Sequence, residues 1–185
     1  MKYIGKSVPR VDALAKVKGE AVYASDLHLP GQAYLKVLMA HRPHAIVKRV
    51  DTARAEALEG VLAVLTSKDV PNNEFGYYSY DQPVLCGPSA KAYTDRVRFV
   101  GDRVAAVVAE SEQIAEQALR LIAVDYEDLP VVSDVEEAIK PGTAVLHPDL
   151  GSNVFGHHIL YNGDVEEGFR QADVIVESVY NTPAQ

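Results

Sequence analysis

Cys86, in PVLCGP, is the only cysteine among 185 residues, and with six histidines it makes up the soft-donor inventory of the chain. A thiol attacks or ligates as the thiolate, which a nearby cation or base must favour. The sequence puts no base beside Cys86, so it reads as a small packed residue. His41 and His44 stand in H-R-P-H, where Arg42-Pro43 makes a turn rather than a shared helix face. A metal there would need ligands from elsewhere. Turn histidines with solvent or backbone partners are the simpler reading. His157 and His158 are adjacent and point to opposite faces of an extended chain. Asp125, Glu127 and Asp128 surround Tyr126 as a charged strand edge. Glu136-Glu137 and Glu166-Glu167 open short helices, where the dipole favours carboxylates. None of these residues is expected to be catalytic, to bind a cofactor or to hold a metal.

Longer motifs are missing as well. There is no G-x-x-x-x-G-K-[ST] loop, no G-x-G-x-x-G after a strand, no G-x-S-x-G elbow and no H-E-x-x-H helix. With 26 acidic against 18 basic residues the net charge is -8. No basic run offers the phosphate contacts of a nucleic-acid binder. A lone cysteine excludes an internal disulfide and any multi-cysteine site. No apolar run nears the ~20 residues of a membrane span. The opening MKYIGKSVPR lacks the apolar core of a signal peptide, so no membrane and a cytoplasmic location are expected. At 48% hydrophobic the chain can build a true core, but its length suits one domain rather than a large complete enzyme.

The elements that must position any site follow from periodicity and punctuation. Residues 6–31 are irregular, with only 20–23 strand-like. Strands are expected at 33–41 and 45–50, then a short helix over 52–58 capped by Asp51 and stopped by Gly60. VLAVLT at 61–66 is short enough for a buried strand. From 67 to 94 regularity lapses into a long loop with Tyr77, Tyr78, Tyr80 and Tyr93. Such loops are uncommon inside compact domains; this one either packs on its own tyrosines or orders against a partner or substrate funnel. Runs at 96–100 and 103–109 bracket Gly101-Asp102 and suggest a hairpin. Ser111 caps a helix over 112–121 whose Ile114, Ala115, Ala118, Leu119 and Ile122 share one face. A strand at 124–127 and a helix at 134–140 follow. Beyond a loop-rich 145–161 come a polar helix at 164–171 and a clean alternation, VIVESVY, at 174–180. The sum is a mixed α/β (α+β) domain.

Four segments in order and register carry a resemblance. They are GKSVPRVDALAKVKGEAVYASDLHLPG, HRPHAIVKRVDTARAEALEGVLAVLTSKDVP, VRFVGDRVAAVVAESEQIAEQALRLIAVDYEDLPVVSDVEEAI and GDVEEGFRQADVIVESVYNTPAQ. Together they resemble the start of the molybdopterin-binding large subunit of the xanthine dehydrogenase and aldehyde oxidase family. Arg10, Asp12, Lys16 and Gly19 match its opening pattern. The resemblance implies an α/β hammerhead domain over residues 1–140, and over 141–185 a linker with the first elements of a molybdopterin-binding domain.

The family hydroxylates an aldehyde or N-heterocycle carbon with oxygen from water. Its molybdenum cofactor passes electrons to iron–sulfur clusters and often FAD, in partner domains or subunits. The glycine-rich cofactor stretch and the glutamate base have no counterpart in these residues. The resemblance therefore implies a non-catalytic piece of such an oxidoreductase, with no cofactor of its own. The alternative is a scaffold or binding module that shares the hammerhead fold.

Overall fold

Residues 3–77, 80–89 and 91–182 are described by the computed structural model. The run RVAAVVA becomes β5 (Arg103–Ala109), the centre of an antiparallel sheet ordered β1-β5-β3. Its neighbours are β1 (Tyr34–Met39) and β3 (Val61–Leu65). A second antiparallel sheet, ordered β4-β2-β6, is centred on β2 (Ala45–Asp51), flanked by β4 (Arg96–Val97) and β6 (Ala123–Asp128). Near-continuous apolarity in β5 has a packing reason. Its Val104 enters a core with Ala40, Ala45, Val47, Cys86 and Val97. Further along, Val107 and Ala109 enter another with Ala55, Ala115 and Ala118. One strand thus stitches both cores, and a strand covered on both faces need not alternate.

The helices over the first sheet form as the sequence indicates. In α3 (Glu112–Leu119) the Ser111 side chain accepts from the Ile114 amide at 3.2 Å, and Ala115 and Ala118 are buried. Such a cap stabilises a helix by about 1 kcal/mol. The expected helix after β2 is a single turn, α2 (Ala53–Glu56); Asp51 still accepts from the Ala53 amide, at 3.2 Å, from the end of its strand. Gly60 then adopts φ +85°, and a Cβ there would lie 2.6 Å from Ile114 Cδ1. The glycine is required both by backbone conformation and by the approach of α3. α4 (Val135–Ala138) and α5 (Val165–Gln171) are short and begin at Asp134 and Asp164, whose carboxylates accept first-turn amides.

Three expectations are corrected. The runs at 96–100 and 103–109 do not form a hairpin: β4 pairs with β2, and β5 with β1 and β3. The Asp102 carboxylate accepts from the Arg98 amide at 2.6 Å and the Phe99 amide at 3.3 Å, and this wrapped turn carries the chain from one sheet to the other. Residues 20–23 form no strand, and α1 (Ala13–Val17) lies within the stretch read as irregular. The long loop, read as packing on its own tyrosines or against a partner, is pinned by several of its other residues. Asn73 makes paired bonds to Leu85, Phe75 bridges Gln82, and Ser67 donates to the Pro88 carbonyl, while Tyr80 is exposed. Tyr78 falls outside the described residues. Finally, 174–180 pairs with nothing among the described residues and is exposed throughout. Alternation orients side chains, but only a neighbouring strand satisfies the backbone.

Candidate functional site

The polar groups of the molecule meet where the 98–102 turn, the long loop and residues 143–153 adjoin. Asp102 is buried, and burial pushes its carboxyl up from the ordinary 3.8, against the pull of the Arg98 and Phe99 amides. Arg98 takes carbonyl oxygens as partners: Nε donates to Leu146 at 2.9 Å and Nη1 to Arg96 at 3.4 Å. Burial lowers its pKa. Asn153 completes the arrangement. Its Oδ1 accepts from the Leu146 amide at 2.9 Å, while Nδ2 donates to the Ala144 carbonyl at 2.9 Å and to Ala138 at 3.0 Å. Both sides of the Leu146 backbone are therefore held, one by Asn153 and one by Arg98.

Next to Leu146 sits His147. Its Nδ1 is shut off from solvent and has no hydrogen-bond partner among the described residues. Burial, and then the Arg98 charge, lower its pKa from 6.5. It borders a cleft of about 400 Å³ with Asp81, Asp134, Asn153 and Phe155. A larger cleft, about 530 Å³, holds Lys48, Arg49 and Lys68 together with Glu56 and Asp69. Lys48 is paired with Glu127, and Arg49 with Asp51 at 2.7 Å, so its charges are largely balanced.

The groups singled out in the sequence are scattered. Cys86 is fully buried, and its thiol is pushed up to about 12, chiefly by burial. Its Sγ lies 3.6 Å from the Arg96 carbonyl. His44 is buried, at 2% exposure, and takes the backbone partner that was one of the two expected. Its Nδ1 is 2.6 Å from the Pro130 carbonyl, which can only accept, so Nδ1 donates. Nε2 then faces Arg96 Nη1, 3.3 Å away, as acceptor. His41, His157 and His158 are exposed, as are Glu136, Glu137 and Glu166, while Glu167 is half-buried. No nucleophile meets a base in this arrangement; what it does chemically is hold backbone. Sequence reading missed Arg98, Asp102, His147 and Asn153. Only Asp102 left a signal, an Asp beside Gly in a turn.

The model of the aldehyde oxidase and xanthine dehydrogenase a/b hammerhead domain matches residues 18–130. The chain belongs to this family. A probable xanthine dehydrogenase component from Bacillus subtilis is 48% identical over 177 residues, which are 95% of this chain and 23% of that protein. The nicotinate dehydrogenase large molybdopterin subunit of Eubacterium barkeri is 34% identical over 97% of this chain and 40% of its own length. Aldehyde oxidoreductase from Desulfovibrio gigas superposes with a TM-score of 0.73 at 32% identity, over 90% of this chain and 19% of that one. The hammerhead chain thus spans well under half the length of each relative.

The Eubacterium barkeri relative is a molybdopterin subunit by name, and the described donors of this chain do not fit a resident metal group. An iron–sulfur cluster takes thiolates, whereas Cys86 is alone, buried and held protonated. Among the described residues no three His, Cys, Asp or Glu side chains converge to hold a metal ion. Among them, too, no helix is long and apolar enough to cross a membrane.

Proposed function

We propose that this chain is a non-catalytic part of a molybdenum hydroxylase, in which the hammerhead region supports domains that carry the cofactor. The parent enzyme oxidises an aldehyde or N-heterocycle with oxygen taken from water. Its molybdopterin lies in the following domains, and iron–sulfur clusters and FAD lie in partner domains or subunits. It works in the cytoplasm. Residues 1–140 are the hammerhead region and 141–185 the passage into the first molybdopterin-binding domain, with 141–153 still tied to the hammerhead through Asn153.

One observation carries this reading: a match over 95% of the chain that makes up 23% of its relative. The 174–180 segment supports it. Val174, Val176 and Val179 are each at least 77% exposed, the state of a strand whose sheet lies elsewhere.

Metal analysis of the purified chain tests the proposal. No stoichiometric molybdenum and no oxidation of aldehydes or purines are expected. Stoichiometric molybdenum retained through gel filtration would overturn the non-catalytic reading.

A further inference from the structure

Residues 143–153 return from α4 and lie over the turn that joins the two sheets. Their seating uses few contacts. Arg98 Nε holds the Leu146 carbonyl, Asn153 Nδ2 donates to the Ala138 carbonyl at 3.0 Å and Thr143 Oγ1 to the Glu137 carbonyl at 2.7 Å, while Asn153 Oδ1, accepting from the Leu146 amide, closes the segment on itself. At the centre is His147, whose own carbonyl accepts from the Leu150 amide at 3.0 Å. The ring Nδ1 is buried without a partner among the described residues, so a proton placed on it would find no acceptor among them.

The charged groups around that ring come from four directions. The turn contributes Arg98 and Asp102, the long loop Asp81, the cap of α4 Asp134, and the segment itself Asp149. Asp81, Asp102 and Asp149 favour a protonated ring. Asp134 is occupied, accepting from the Glu136 and Glu137 amides. Against them stand burial and the Arg98 guanidinium, which is itself fixed by the carbonyl next to the ring. Burial and Arg98 prevail, and the seated ring resists protonation.

We infer that residues 143–153 form a pH-sensitive strap, seated on the core while His147 is neutral and released when its ring takes up a proton. A released ring is solvated and takes a proton near 6.5, whereas the seated ring holds out to lower pH. Lowering the pH through that interval therefore favours release. Because the strap precedes 154–182, its release frees the direction in which that segment leaves the hammerhead. This behaviour belongs to the chain's own residues and stands whether or not the function proposed above is right.

Hydrogen exchange on the full chain tests it. Protection of the Leu146 and Leu150 amides is expected to fall between roughly pH 8 and pH 5, because the released ring takes up a proton that the seated ring resists. Protection of Val107, in β5, is expected to hold. In His147→Phe, which keeps a ring but cannot be protonated, the fall disappears. An unchanged fall in that variant, or none in the parent chain, overturns the strap. The His147 ring resonances give a second reading on the unaltered chain: titration below 6.5 supports it, and titration at or above 6.5 overturns it.

Discussion

Asp102 and Cys86 are neighbours in the same buried junction, and both are shaped by burial rather than by chemistry. Asp102 accepts two amides at once, so Asp102→Ala strands two part-buried donors and is expected to cost about 1–3 kcal/mol. Asp102→Asn keeps an acceptor and is expected to cost less; urea unfolding compares them. The sign of its pH dependence is unusual for a carboxylate. Its folded pKa is raised, so the ionised form carries a penalty at neutral pH. That penalty is relieved as pH falls through the folded pKa toward 3.8, and Asp102→Asn is expected to remove this contribution. For Cys86 the expectation is inertness. With its pKa near 12, the thiolate fraction at about pH 8 is on the order of 10⁻⁴. Alkylation of the native chain is expected to run about a thousandfold or more slower than in denaturant. Rapid native labelling would show that the thiol is not held as described.

At the scale of elements, Gly60 joins α2 to β3 under the tip of Ile114. Gly60→Ala imposes a side chain on φ +85° and a 2.6 Å approach to Ile114 Cδ1, although that methyl can shift. A loss of about 1–2 kcal/mol is expected, measured by thermal or urea unfolding. This junction was legible in the sequence, as were α3, β3 and β5, because a cap, a glycine stop and an apolar period are local signals. The turn at 98–102 was not. Whether two adjacent strands pair or part depends on where Asp102 is buried, and burial is decided by residues far along the chain. The clamp of Asn153 on Leu146, and of Asn73 on Leu85, escaped for the same reason. An asparagine in a loop does not announce which backbone it will bind. His44 was legible only in kind: a backbone partner was expected, and Pro130 supplies it, but nothing local shows that Pro130 and Arg96 take the ring into the core.

At the scale of the whole molecule, the two cores draw only on residues from Ala40 to Val124 and Tyr126. α5 has no buried residue, and 174–180 is exposed along its length. Apolar surface that touches nothing contributes nothing to folding this chain, since the hydrophobic gain requires removal from water. Ending the chain after Gly156, which keeps Asn153 and Phe155, is therefore expected to leave the unfolding free energy within about 0.5 kcal/mol. The same logic makes 157–182 the first target of chymotrypsin, at Phe169 and Tyr180, which are 55% and 87% exposed. Joined to the remainder of a molybdenum hydroxylase subunit, that stretch is expected to become protected, while cleavage near Tyr80 in the long loop serves as an internal comparison. Equal cleavage of 157–182 in both settings would mean that its apolar residues find no cover in the longer protein. A large loss of stability on truncation would mean instead that they already have it here.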